Sequence, residues 1–345
     1  MGFPLRRLAR PLCAAAFILG AAACSPSGDT PAPADPHDLS EVDTGTEDAA
    51  VTRREREEIL AEYNEALDEA RETNGTGQPA LWKLSDEDTT IYLFGTVHVL
   101  RPDLEWRSDE FSTAFESADK LVMEVDMESE EGLREAARDF QLKGLYGDGR
   151  RLSNELSPSD LKVINQALEP LGLPITVFDP MEPWMAAISI QMLALQQEGF
   201  DPNSGVEQTL IGEAREDGKT FGYLETAAVQ ADIFDKLPED VQEEFLYETA
   251  LTLEDNPQML DQTVDEWADG DVAGLSALVA NPDTGGGDGI YDALFVKRNT
   301  AWVPQIEAML DEPGTVFIAV GAGHLAGPDS VVTLLRDKGY EVEGP

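Results

Sequence analysis

Two of the three histidines in the chain, His98 and His324, occupy the same local motif. Each follows an apolar, β-rich run that ends in a glycine and two further residues, as YLFGTVH and IAVGAGH. A glycine directly after a buried strand lets the backbone turn sharply, so the histidine projects from the turn. Imidazole at such a position suits proton transfer near neutral pH or coordination of a divalent metal ion. The repeated motif predicts that the two histidines meet in one site.

Acidic residues also follow predicted strands. Glu124 comes after the apolar run LVM, Asp126 stands two residues further along, and Glu225 ends the short run GYLE. A carboxylate at the end of a buried strand needs a partner or a metal ion to offset its lost hydration, unless that end is exposed. Arg298 and Asn299 lie in a predicted helix, where Arg298 is expected to pair with an acid, to hold a substrate anion or to form a surface ion pair.

Composition excludes several other chemistries. Cys13 and Cys24 are the only cysteines, so the later part of the chain has neither a thiol nucleophile nor a disulfide framework. Neither a Gly-x-Ser-x-Gly motif nor a His-Glu-x-x-His motif occurs. The chain has 24 basic and 68 acidic residues, a formal net charge of −44, and such a surface repels phosphate backbones. No nucleic-acid partner is therefore expected, and the acids are expected to form a solvated surface.

The first residues have the pattern of an export signal. A positively charged segment with three arginines precedes an apolar run at positions 12–23. This run of 12 residues is too short to span a bilayer core of about 30 Å as a helix. Residues 1–23 are therefore predicted to be a signal peptide. The sequence AAAC resembles a bacterial lipobox, with Cys24 as the lipid-bearing first residue of an exported protein. Cleavage after an Ala-x-Ala site, which would give a soluble periplasmic protein, is the alternative.

Residues 24–50 are predicted to be a disordered tether between the membrane and the folded domain. They are rich in Pro, Ser, Thr, Asp and Ala, so they cannot bury enough apolar surface to offset the entropy of ordering. His37 lies in this stretch and is not expected to be a ligand. The residue after Cys24 is Ser25 rather than Asp, which favours the outer over the inner membrane.

The remaining chain is predicted to be a peripheral helix and turn, 51–79, followed by an α/β domain, 80–345. Strands alternate with helices at both ends of this domain, which favours a mostly parallel central sheet. Its middle, about 128–280, is predicted to be a mainly helical insertion or cap, with helices that begin after Ser157 and at Pro183. The predicted strands are LWKL and TIYLFGTVHVL as a hairpin, then KLVMEVD (Lys120 to Asp126), FGYLE, TVFIAVGAGHLAG and YEVEG.

A series of motifs in fixed order resembles the TraB/PrgY/GumN family. The series is ALWKL, YLFGTVH, LVMEVD, EPW, LET followed by Gln230, W-x-x-GD, KRN-x-x-W and AVGAGHL-x-G, and it extends from about residue 80 to 342. The resemblance implies relatives among the Tiki proteases, metal-dependent peptidases with two Gly-x-x-His motifs and an acid. It also implies an α/β fold shared with erythromycin-esterase-like and ChaN-like proteins.

Mapped by motif, the resemblance implies a site of His98, Glu124, Arg298, Asn299 and His324. His98, Glu124 and His324 are the implied ligands of a divalent ion such as Zn²⁺, Mn²⁺ or Co²⁺, which lowers the pKa of a bound water toward ~7.

Glu225 or Asp126 would then be the general base, and Arg298 would stabilise an oxyanion. A metal-free variant would use one histidine as the base, as in the esterase-like relatives.

The expected function is that of a cell-envelope hydrolase, a Tiki-like peptidase that acts on a peptide or another envelope substrate. The alternative is a non-catalytic lipoprotein that binds or sequesters a peptide or saccharide. Such a protein has no chemical need for two histidines beside an acid. A third reading treats both glycine–histidine turns as purely structural.

Overall fold

The computed structural model describes residues 56–255, 259–279 and 288–345. The predicted signal peptide, 1–23, and the predicted tether, 24–50, lie outside the described residues. None of the helices in the described ranges is long and apolar enough to cross a membrane.

The described strands form one six-stranded sheet in the order β4-β3-β5-β2-β1-β6. Strands β2, β5, β3 and β4 run parallel to one another, whereas β1 is antiparallel to both β2 and β6. This arrangement confirms the α/β class with a mostly parallel sheet, and it confirms the predicted hairpin. The strands are β1 Leu81–Ser85, β2 Thr89–Thr96, β3 Lys120–Met123, β4 Thr220–Tyr223, β5 Gly314–Gly321 and β6 Val342–Glu343.

Helices cover the sheet and form the middle of the chain. Ser157 accepts a hydrogen bond from the backbone N–H of Asp160 and Pro183 is the first helical residue, as the sequence predicts. The helices are α1 Arg56–Glu72, α2 Asp109–Ser117, α3 Glu130–Lys143, α4 Leu152–Glu155, α5 Pro158–Leu168, α6 Pro183–Gln197, α7 Val206–Asp217, α8 Ala227–Asp235, α9 Glu239–Asp255, α10 Met259–Asp269, α11 Val272–Val279, α12 Asp288–Tyr291, α13 Lys297–Met309 and α14 Val331–Asp337.

The sheet separates two apolar cores. Side chains alternate between the faces of a strand, so Phe94 and Phe317 belong to the larger core and their neighbours Leu93 and Ile318 to the smaller one. Helices α13 and α14 close the smaller core, where Trp302 is fully buried. Burial on both faces explains why the central parallel strands are continuous apolar runs in the sequence.

The register of β2 and β5 places the two glycine–histidine motifs side by side. Gly95 pairs with Val320 and Thr96 pairs with Gly321, so both strands end at the same edge of the sheet. Strand β3 lies on the other side of β5 and β4 lies beyond it, both with the same direction. The carboxyl ends of four strands therefore meet at one edge, which is where α/β sheets place their sites.

Strand β3 is shorter than the sequence predicts. It ends at Met123 rather than at Asp126, so the alternation of side chains along the strand does not extend to Asp126. The Asp126 carboxylate accepts hydrogen bonds from the backbone N–H groups of Glu128 and Ser129 at 3.0 and 2.8 Å and from the Ser129 hydroxyl at 2.5 Å. These bonds stabilise the turn that leads into α3, so the Asp126 carboxylate is used within that turn.

Candidate functional site

Arg298 lies at the centre of a buried polar network at the carboxyl edge of the sheet. Its side chain is 3% exposed, and its Nη2 lies 2.5 Å from Glu124 Oε2. Its Nε lies 2.9 Å from Glu225 Oε1, and its Nη1 lies 2.8 Å from His324 Nε2 and 3.3 Å from the Leu294 carbonyl oxygen. Burial alone would lower the pKa of Arg298, but Glu225 and Glu124 raise it, so the guanidinium stays charged.

A π-helical turn, Asp292–Val296, positions this arginine. The turn leads directly into α13, and it places the Leu294 carbonyl under the guanidinium of Arg298. Single π turns inside helices are rare and are frequent at functional sites. The widened turn also packs Phe295 against the His324 ring, with the ring centroids 5.2 Å apart.

The two glutamates that hold Arg298 come from the ends of neighbouring parallel strands. Glu124 Oε1 accepts from the Gly321 N–H at 2.7 Å, and Glu124 Oε2 accepts from Gln230 Nε2 at 2.9 Å. Glu225 Oε1 also accepts from the indole N–H of Trp302 at 2.8 Å. Each carboxylate is thus satisfied by its neighbours, as a buried charge requires.

His324 is fully buried, and both of its ring nitrogens have partners. Nδ1 lies 2.6 Å from Asn299 Oδ1, and the side-chain amide nitrogen Nδ2 of Asn299 donates to the Asp329 carbonyl oxygen at 2.8 Å. The guanidinium of Arg298 can only donate, so His324 Nε2 accepts and the ring proton is on Nδ1. Burial, together with the Arg298 charge, lowers the pKa of His324 well below its ordinary value. His324 is therefore neutral.

His98 is held differently, by a residue that the sequence motifs do not include. Its Nδ1 lies 2.6 Å from Oε1 of Glu207, and the two side chains are 8% and 12% exposed. Its Nε2 is buried and has no hydrogen-bond partner among the described residues. Burial would lower the pKa of His98, but Glu207 and the more distant Glu124 raise it above its ordinary value. Burial would raise the pKa of Glu207, and the facing His98 lowers it.

The start of helix α7 brings Glu207 to His98. The backbone N–H of Val206 donates to the Val97 carbonyl at 3.0 Å, which fixes the helix against the turn after β2. A Cβ at Gly205 would overlap the carbonyl oxygen of His98, so this close approach requires glycine. The only sequence signal for this contact is a glycine before a helix with an acid in its first turn.

The implied metal ligands are not assembled into a metal site. No group of three or more His, Cys, Asp or Glu side chains in the described ranges is arranged to hold a metal ion. His324 has no free ring nitrogen, both oxygens of Glu124 accept hydrogen bonds, and the cationic Arg298 lies between them. A second positive charge at this position is unfavourable. The residues as arranged therefore do not fit an ion shared by His98, Glu124 and His324.

The hydrogen bonds of Arg298, Glu225 and Asn299 also bear on the roles that the sequence suggested for them. All five N–H donors of Arg298 have acceptors, so it has none free for a developing oxyanion. Glu225 accepts from Arg298 and Trp302 and has the geometry of a positioning residue rather than of a general base. Asn299 orients His324.

The edge of the sheet therefore combines a closed network around Arg298 with a set of buried polar atoms that have no hydrogen-bond partner among the described residues, Thr96 Oγ1, both carboxylate oxygens of Glu207 and His98 Nε2. Arg298, Glu124, Glu225, His324 and Asn299 satisfy one another, whereas His98 Nε2 faces no partner among the described residues. An imidazole whose Nδ1 faces a carboxylate and whose Nε2 is free is the arrangement of a general acid or base. Fold and site together define an α/β protein with an oriented histidine at the carboxyl edge of a mostly parallel sheet.

This chain belongs to the TraB/PrgY/gumN family, whose model matches residues 80–344. It is 24% identical over 246 residues to the uncharacterized protein YbaP of Escherichia coli K12, covering 71% of this chain and 88% of YbaP. An uncharacterized protein of Treponema pallidum is 22% identical over 273 residues, covering 74% of this chain and 80% of that protein.

A shorter similarity links the chain to a named enzyme. The Metalloprotease TIKI1 of Danio rerio is 46% identical over 52 residues, which are 14% of this chain and 10% of that protein. No solved structure matches the chain.

Proposed function

We propose that the protein is a hydrolase of peptides or other acyl substrates of the cell envelope, with His98 as its general base. The observation that carries the proposal is the free, buried Nε2 of a histidine whose Nδ1 faces Glu207. The position of His98 beyond the end of a parallel strand supports it, because α/β sheets place their sites there.

In this mechanism His98 Nε2 removes a proton from water as the water oxygen bonds to the substrate carbonyl carbon. His98 then returns the proton to the leaving amine or alcohol as the carbon–heteroatom bond breaks, so no proton is lost overall. Glu207 keeps the other ring proton on Nδ1 and stabilises the imidazolium that forms. Arg298 and its partners are positioning residues, since they fix the ends of β3, β4 and β5 next to the base.

Comparison of His98→Gln with the unmodified protein tests this assignment on a panel of fluorogenic peptides and acyl esters. Removal of a general base lowers kcat by about 10²–10⁴-fold. His37→Gln is the matched control, and we expect it to keep full turnover because His37 belongs to the predicted tether. Unchanged turnover in His98→Gln would overturn the assignment. Saturable substrate binding with no turnover in either protein would favour a binding protein instead.

The similarity to Metalloprotease TIKI1 favours a second candidate, a metal-dependent peptidase. The two candidates differ in their response to chelation. Turnover that survives dialysis against EDTA supports His98 as a metal-free base. Turnover that is lost on dialysis and restored by Mn²⁺, Co²⁺ or Zn²⁺ supports the metallopeptidase.

We also propose that the chain is an exported lipoprotein that is anchored through Cys24 and faces the periplasm, in the outer membrane. The support is the sequence of residues 1–25 alone. Cys24→Ser is expected to abolish labelling by a radioactive fatty acid and to release the protein from the membrane fraction. Cys13→Ser, within the predicted signal peptide, is the matched control and should leave both unchanged. Labelling that persists in Cys24→Ser would contradict the anchor.

A further inference from the structure

The turn between α10 and α11 brings two carboxylates together. The backbone N–H of Asp271 donates to the Glu266 carbonyl at 2.9 Å, which folds the turn back on the end of α10. A Cβ built on Gly274 would lie 2.7 Å from Glu266 Oε2 and 3.2 Å from Asp271 Cγ, so both carboxylates pack against one glycine. Two ionised carboxylates that share such a place repel each other, and a proton held between them removes the repulsion.

One oxygen of Asp271 needs a hydrogen-bond donor. Asp271 is 3% exposed, and its Oδ1 accepts from the Gly274 N–H at 2.9 Å, which makes it the N-cap of α11. Its Oδ2 is buried and has no hydrogen-bond partner among the described residues. A buried ionised oxygen without a donor is costly, so a donor at Oδ2 stabilises the turn. The half-buried carboxyl of Glu266 is such a donor when it is protonated.

The elements around this pair supply no positive charge to take the place of the proton. Apart from Asp271, the charges that act on Glu266 are those of Asp265 and Asp269 in the same helix, and both are negative. Residues 73–80 and α11 pack against the turn, and neither contains a titratable side chain. The sheet and the His324 turn line the space beside the pair with groups that do not titrate, which are Trp82, Gly95 and Ala322.

We propose that Glu266 and Asp271 share one proton, and that its loss loosens a turn that braces the His98 motif. The Glu266 carboxyl donates to Asp271 Oδ2 either directly or through one water molecule, for which the adjoining cavity of about 10 Å³ has room. The indole N–H of Trp267, the residue after Glu266, donates to the Gly95 carbonyl at 2.8 Å, and Gly95 begins the turn that carries His98. The proposal does not depend on hydrolase activity.

The shared proton gives the stability of the protein a defined dependence on pH. Burial, together with the Asp271 charge, raises the pKa of Glu266 from its ordinary value of 4.5 to about 6. Because the folded pKa is the higher one, the stabilisation by the proton is complete below pH 4.5 and is lost as pH rises through about 6. At higher pH both carboxylates are ionised and repel each other across the turn.

Thermal unfolding of the full chain at about pH 5 and about pH 8 tests the proposal. Glu266→Gln keeps a donor for Asp271 Oδ2 but has no proton to lose. We expect its Tm to match that of the unmodified protein at the lower pH and to exceed it by about 1–3 °C at the higher pH. Asp271→Asn keeps a capping oxygen and removes the repelling charge, so its Tm relative to the unmodified protein should also rise with pH. Both variants retain the histidines, whose titration cancels in the comparison.

Glu87→Gln, at an exposed carboxylate in the β1–β2 turn, is the matched control. Its Tm relative to the unmodified protein should be the same at both pH values. The double variant of Glu266→Gln and Asp271→Asn should gain no more at high pH than the larger single gain, because either change removes the repulsion. If the gain with pH in either single variant is no larger than in Glu87→Gln, the proposal is overturned and the two carboxylates titrate independently.

Discussion

Arg298 balances two buried carboxylates, so its removal leaves Glu124 and Glu225 facing each other without a cation. Loss of one partner from a buried ion pair costs about 3–5 kcal/mol, because the remaining charge has no compensation. We expect Arg298→Met to lower the free energy of unfolding by this amount in urea denaturation. Methionine keeps helix propensity and most of the side-chain length, which isolates the loss of charge.

Arg134 is the matched control for this substitution. It also lies in a helix, where it pairs with Glu130 four residues earlier, but the two side chains are 40% and 89% exposed. Exposed pairs contribute well under ~1 kcal/mol, so Arg134→Met should leave the urea midpoint almost unchanged. If Arg298→Met cost no more than Arg134→Met, the network would be unimportant to the fold.

The two histidines should give the protein opposite dependences of stability on pH. The folded pKa of His324 is lowered, so its contribution to stability is present above the unfolded value of about 6.5 and is lost as pH falls toward the folded pKa. The folded pKa of His98 is raised, so its contribution is present below about 6.5 and is lost as pH rises through the folded pKa.

Urea unfolding of His324→Gln and His98→Gln between about pH 5 and 8.5 separates these contributions, since the unfolded pKa of about 6.5 lies inside this range and the two folded pKa values lie on opposite sides of it. As pH falls, the free energy of unfolding of His324→Gln should decrease less than that of the unmodified protein. As pH rises, the free energy of unfolding of His98→Gln should decrease less than that of the unmodified protein. Parallel stability curves for all three proteins would contradict the assigned protonation states.

At the scale of the elements, helix α7 positions the proposed base through its first turn. A methyl group at Gly205 would overlap the His98 carbonyl oxygen, so Gly205→Ala must displace the helix start or the histidine turn. We expect Gly205→Ala to lower kcat by at least tenfold, because Glu207 then no longer faces the ring. The measurement is turnover together with Tm.

Gly212 in the same helix gives the control. A Cβ at Gly212 has open space, and the residue is exposed within a regular helix. Replacement of such a glycine by alanine stabilises a helix by about 0.5–1 kcal/mol, so Gly212→Ala should raise Tm slightly and keep full turnover. Loss of turnover in Gly212→Ala as well would show that the effect is not specific to the contact with His98.

The strands were predictable from the sequence because their signals are local. Apolar runs, turns and the two glycine–histidine motifs lie within a few residues of one another, so the hairpin and the mostly parallel sheet follow from them. Two other features were not predictable, because their signals are not local. The early end of β3, which removes Asp126 from the site, depends on the turn into α3. The contact between Glu207 and His98 joins residues 109 positions apart, and no local pattern encodes it.

The π turn before α13 is a further element that the sequence did not reveal. Its residues, Asp292–Val296, have ordinary helical composition, and its Phe295 packs against Gly323 in the His324 turn, a contact that no local pattern encodes. The motif KRN-x-x-W therefore indicates residues that lie in the network, but it does not encode their hydrogen bonds. Which donor faces which acceptor is decided by tertiary packing, and the metal-ligand expectation did not fit for that reason.

At the scale of the whole molecule, the dominant property is the excess of acidic residues. A formal net charge of −44 makes the surface repel itself, and this repulsion is larger in the compact state than in the unfolded chain. Among the described residues, most acidic side chains are exposed or half-buried, whereas the charges of Arg298, Glu124 and Glu225 at the sheet edge are buried and paired. Added salt therefore acts on the two sets differently, since ions screen exposed charges and leave buried pairs almost unaffected.

We expect Tm to rise by a few °C when NaCl is increased from about 0.02 to 0.5 M, because screening relieves the surface repulsion. Each kcal/mol gained shifts Tm of a domain of this size by about 2–4 °C. KCl should have the same effect as NaCl, because screening involves no specific ion. A Tm that falls with NaCl would show that exposed ion pairs outweigh the repulsion.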